Sequence, residues 1–150
     1  MDYREKFPEC FPDNFFILME KHDIIHNEKR LDDDTVVYRV AKNGELNKQT
    51  FFSSYEEYEN GLVTDKDIDR DDLSTYSTSF DIKKSKAKRL LKMFNKNYPK
   101  ALLIEGKYQG DMGVALKTID WKEDYTSNHH VDWWIYKKAT PEKLFKECLE

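Results

Sequence analysis

Three short stretches of this 150-residue chain hold side chains suited to chemistry: Tyr38-Arg39, Ser77-Thr78-Ser79 and His130-Val131-Asp132. Arginine presents a planar fork of donors that matches a phosphate. Serine and threonine hydroxyls donate and accept, so they can hold a sugar or amide edge and orient their neighbours. A carboxylate can hydrogen-bond ribose hydroxyls and stabilise a cation developing on the sugar ring. Histidine is the side-chain type whose ordinary charge change falls near neutrality, so one placed beside it can move a proton. Together these groups are the parts needed to bind a nicotinamide dinucleotide and break its glycosidic bond. They lie far apart in the chain, so the fold must bring them to one hollow.

Periodicity indicates which elements would do so. Phe15, Leu18, Met19, His22, Ile25 and His26 recur at near-helical spacing, which predicts a helix over about 13–30, capped by Asp13. Residues 35–41 (TVVYRVA) are β-branched and aromatic and predict a strand, a rigid mount for Tyr38 and Arg39. Residues 47–61 read as one helix stopped at Asn60-Gly61, and 74–80 as a short strand. A helix follows from 83 to 98, with Lys and Arg beside Ala87, Leu90, Leu91 and Phe94. Strands are predicted over 100–108, after a turn within 110–119, and over 131–139. A last helix over about 141–149 starts at Thr140 and Pro141. Helices and strands mix without strict alternation. The predicted class is therefore α+β: a single compact domain over 1–150, core about 35–140, with mixed, mainly antiparallel sheets and flanking helices.

Composition narrows the classes. The net charge of -4 argues against a mainly electrostatic nucleic-acid binder, and the basic run over 83–96 reads as a solvated helix face. No apolar run approaches the roughly 18 residues of a membrane span, and residues 1–12 lack the apolar stretch of a signal peptide. Cys10 and Cys148 form neither a CxxC pair nor a disulfide framework. These features give the expectation of a cytoplasmic protein that does not use a membrane. His22 and His26 would share one helix face, but no third ligand follows them, so no metal site is expected.

The ordered set VVYRV, TFFSSYEEYENG, TYSTSF, SKAKRLLKMF, PKALLIEGKY, GDMGVAL and HHVDWWIYKKA resembles the ADP-ribosyltransferase superfamily, in its arginine, Ser-Thr-Ser, glutamate branch. The resemblance covers about residues 35–140. It implies an ADP-ribosyltransferase-like fold with NAD as substrate and an acceptor of unknown nature. Arg39 would contact the phosphate or ribose side of NAD, and Ser77 would brace the cleft with Thr78 and Ser79 beside it. Tyr38 or Trp133 would stack on nicotinamide. Asp132 would stabilise the cationic ribose, and His130 would orient the acceptor or act as acid and base. The chain departs from the family at one point: His130-x-Asp132 stands where the family has Glu-x-Glu or Gln-x-Glu. Asp is one methylene shorter than Glu. Three outcomes stay open: an ADP-ribosyltransferase or NAD glycohydrolase; a non-catalytic protein-interaction module, of a phage or mobile-element kind, that docks through Tyr and Trp; or a nucleic-acid-modifying or -binding protein that uses the basic helix.

Overall fold

A computed structural model describes residues 3–149. Six strands form one sheet: β1 (Val36–Ala41), β2 (Thr78–Asp81), β3 (Leu102–Lys107), β4 (Gly113–Lys117), β5 (His130–Ile135) and β6 (Lys146–Glu147). Their order is β4-β5-β2-β1-β3-β6. Every neighbouring pair is antiparallel, so one antiparallel sheet replaces the expected mixed sheets. Three α-helices accompany it: α1 (Asp13–Lys21), α2 (Ser54–Glu59) and α3 (Lys84–Asn95). The architecture is α+β. No helix among the described residues is long and apolar enough to cross a membrane.

Side chains alternate across a strand, and the register fixes which share a face. Ser79 lies opposite Asp132, and Leu116 opposite the same Asp132, while Val114 lies opposite Trp134. On this front face Val114, Leu116 and Trp134 pack under Phe15, Phe16, Leu18 and Met19 of α1. Farther along the same face, Val40 and Leu103 pack under Ala87 of α3. The back face carries Val37, Phe80, Ile104, Ala115, Val131 and Trp133, covered by Phe51 and Phe145. Phe145 lies against the bare Cα of Gly106, where an added Cβ would stand 2.6 Å from its ring.

The helices are shorter than periodicity predicts. The first ends at Lys21 rather than near residue 30 because Asp23 takes a left-handed backbone (φ 50°), and Ile24 turns inward to a fully buried position. Asp13 opens that helix from inside, and Pro12 occupies the N-cap. Residues 47–61 form a 3-10 turn (Lys48–Phe51) and then α2, because Ser53 is extended and caps α2. Its hydroxyl accepts from the Glu56 N–H (3.1 Å), and the Glu56 carboxylate accepts from the Ser53 N–H (3.0 Å). Residues 73–76 form a 3-10 turn before β2, with the Tyr76 ring buried. The predicted C-terminal helix is a single turn (Pro141–Lys143) followed by β6, because an extended chain lets Phe145 reach the back core while Lys146 pairs with Glu105.

Candidate functional site

β5, β2 and β1 are neighbours, so the three stretches that carry chemistry lie side by side. β1 and β2 pair only at Tyr38 and Asp81, then part. Arg39 fills the opening. Its Nε donates to the Thr50 carbonyl (2.8 Å) and its Nη1 to the Ser79 carbonyl (2.8 Å), while its guanidinium carbon sits 5.8 Å from the centre of the Phe80 ring. Two of its five N–H donors are thereby used. Arg39 joins none of the ion pairs among the described residues. Burial pushes its guanidinium down to about 10, and the Glu57 charge pulls it back up. It stays a cation at neutral pH with unused donors.

Around this opening lies a cleft of about 240 Å³, lined by Tyr38, Arg39, Ser79, Asp81 and His130 from the sheet, Ser77 just before β2, Ser54 and Glu57 from α2, and Ala87, Leu90 and Phe94 from α3. Its size falls just under the roughly 300–1,000 Å³ of sites that enclose drug-sized ligands. A second, smaller hollow of about 60 Å³ shares Arg39, Lys42 and Glu57 with it and adds Glu45, Asn47, Gln49 and Thr50. Arg39 therefore stands between two hollows, a place where a linking phosphate could sit.

Of the residues expected in the site, Tyr38, Arg39, Ser77, Ser79 and His130 line this cleft. Thr78 and Trp133 do not. Both point to the buried back face, where the Thr78 hydroxyl donates to the Phe51 carbonyl (2.6 Å) and Trp133 packs on Phe80. The pleat requires this, since neighbours of front-facing Ser79 and Asp132 must face backwards.

Asp132 lies beneath the cleft with 0% of its surface exposed. Its Oδ1 accepts from the Ser77 hydroxyl (2.5 Å); its Oδ2 accepts from the Thr118 hydroxyl (2.7 Å) and the Trp121 indole N–H (3.0 Å). A buried carboxylate needs such partners. The Thr118 oxygen also lies 2.6 Å from His130 Nδ1. A hydroxyl has one proton, and an ionised carboxylate only accepts. Thr118 therefore gives its proton to Asp132 and accepts Nδ1–H from His130. In the neutral imidazole that assignment puts the lone pair on Nε2, open to whatever occupies the cleft. Asp132 thus acts on two cleft residues, on Ser77 directly and on His130 through Thr118.

Three contributors carry no signal in the sequence. Thr118 and Trp121 come from a 3-10 turn (Thr118–Asp120) and the residue that ends it, and neither belongs to a recognisable motif. Glu57 lies within the acidic first turn of α2 and reads as an ordinary helix residue. It makes no side-chain hydrogen bond or ion pair among the described residues. Asp81, the other carboxylate of the cleft, is engaged by the Lys83 N–H (2.8 Å) and by His129 Nδ1 (2.8 Å). No family model, curated protein or solved structure matches the chain.

Proposed function

We propose that the cleft between β1 and β2 binds NAD, and that the chain is an ADP-ribosyltransferase-like protein that breaks the bond between nicotinamide and ribose. One observation carries this reading: Tyr38, Arg39, Ser77, Ser79 and His130, drawn from three separate stretches, line a single cleft. Arg39 offers unused donors to the pyrophosphate at the junction of the two hollows. Tyr38 offers an aromatic face to nicotinamide. The ribose C1′–N bond breaks with its electron pair leaving on nicotinamide. The cationic ribose then takes a lone pair from the acceptor or from water, and His130 Nε2 accepts the proton that this nucleophile loses.

The role of the acid shifts from the one the resemblance implies. Asp132 is enclosed, so it acts here as a positioning residue that aims Ser77 and His130. Glu57 is the carboxylate of the cleft that makes no side-chain hydrogen bond or ion pair among the described residues, and it is the group we assign to the developing ribose cation. Incubation with NAD should release nicotinamide. Arg39→Ala and Glu57→Gln should each lower the release at least tenfold, with circular dichroism unchanged. Release equal to buffer, or release that both variants retain in full, contradicts the reading.

The enclosure of Asp132 favours a second reading, in which the module holds its ligand without turnover. The outcome that marks it is NAD bound and no nicotinamide released. Docking through tryptophan finds no support in either case, since Trp121, Trp133 and Trp134 are all buried.

A further inference from the structure

The net charge of -4 hides a strong asymmetry. Residues 83–100 contain eight Lys or Arg and no Asp or Glu. None of the eight joins an ion pair among the described residues. Lys84, Lys88 and Lys92 follow one another at four-residue steps along α3, with Lys96 at its C-cap, so a cation recurs at each turn, about every 6 Å of rise. The helix is anchored by its apolar side alone, through Ala87, Leu91 and Phe94 on Val40 and Leu103. Its outward side leaves Met93 62% exposed among the lysines. At its end Tyr98 is 39% exposed, and Lys42 sits 5.2 Å and 5.7 Å from the centres of the Phe94 and Tyr98 rings.

We propose that this face of α3 binds a single strand of nucleic acid. A row of unpaired cations at regular intervals suits a polymer that repeats its negative charge at regular intervals. Exposed Tyr98 and Met93 offer bases a surface to lie on, the pairing of charge and stacking that single strands use. A lipid surface fits less well, because the apolar side a membrane would take up is already spent on the sheet. The low total charge does not oppose this partner, since residues 83–100 carry no acidic side chain and salt screens charges more than about 10 Å away.

The full chain should be titrated into fluorescein-labelled RNA and DNA single strands of about 20 nucleotides, from about 20 mM to about 300 mM salt. NAD plays no part in this assay, so its outcome is separate from that of the cleft. The expected result is saturable binding whose log Kd rises linearly with log salt. Lys88→Glu/Arg89→Glu/Lys92→Glu should weaken it at least tenfold, and the milder Lys88→Gln/Arg89→Gln/Lys92→Gln should weaken it by a smaller factor while folding normally. Lys66→Glu/Lys143→Glu, on other elements, should leave it unchanged. Tyr98→Ala should weaken it about fivefold or more. No binding at the lowest salt, binding that the α3 variants retain, or equal binding of polyglutamate overturns the proposal; the last would assign the surface to an acidic protein.

Discussion

Asp132 shows how one carboxylate can organise a site it does not line. Three donors converge on it where it is buried, from Ser77, Thr118 and Trp121. Asp132→Ala leaves the Trp121 indole N–H without an acceptor, at about 1–3 kcal/mol, while the Ser77 hydroxyl keeps the Ser74 carbonyl (3.0 Å) and Thr118 keeps His130 Nδ1 (2.6 Å) beside it. Asp132→Glu restores the acid that the ADP-ribosyltransferase resemblance leads one to expect, but pushes an extra methylene into a filled space, at roughly 1–3 kcal/mol. Urea denaturation should therefore rank both variants below the native chain, and a change in either under about 0.5 kcal/mol contradicts this role. The bridge to His130 has its own test. Thr118→Val removes the hydroxyl that accepts Nδ1–H, so ring nitrogen NMR shifts of His130 should move from a fixed Nδ1–H tautomer toward a mixture. An unchanged tautomer contradicts the relay. Arg39 and His130 could be picked out from the sequence because their residue types are informative on rigid strands, and Ser77 because it stands just before one. Thr118, Trp121 and Glu57 could not, because their importance arises only from what the fold sets beside them.

At the scale of elements, local signals and tertiary demands divided the outcome. The strands holding Tyr38 and His130 were readable because β-branched and aromatic residues fill them. Helix lengths were overestimated where apolar spacing continued past a backbone break, as at Asp23. The Ser53-x-x-Glu56 capping box was present in the sequence and marks the true start of α2, but the longer periodic run over 47–61 masked it. α2 carries Glu57 to the cleft, so this cap bears on the site. Ser53 is buried, and Ser53→Ala removes the acceptor for the Glu56 N–H. It should cost about 0.5–2 kcal/mol in thermal or urea unfolding. Equal stability of Ser53→Ala and the native chain would contradict this account of the α2 start. At the C-terminus the decisive term was long-range: Phe145 completes the back core against Phe51, Phe80 and Trp133, and no local pattern announces that contact.

For the whole molecule, the sheet order is what makes a site feasible. It sets β5, β2 and β1 together and lets β1 and β2 separate after one pair, so the split opens where the informative side chains stand. Net charge averages over this scale, since the α3 lysines and the acidic segments occupy different stretches of the chain. Arg39 is the hinge of the account, a cation held in the split and lowered to about 10 by burial. A ligand that needs its charge should bind from neutral pH upward and be lost as the pH rises through about 10, because deprotonation then removes the anchor. The most direct measurement is NAD binding followed residue by residue by NMR, on the native chain and on Arg39→Ala. Saturable shifts centred on Tyr38, Arg39, Ser77 and His130, abolished in Arg39→Ala, are the predicted result. No binding, shifts centred on another surface, or full affinity without Arg39 would contradict the claim that the β1–β2 split is the ligand site.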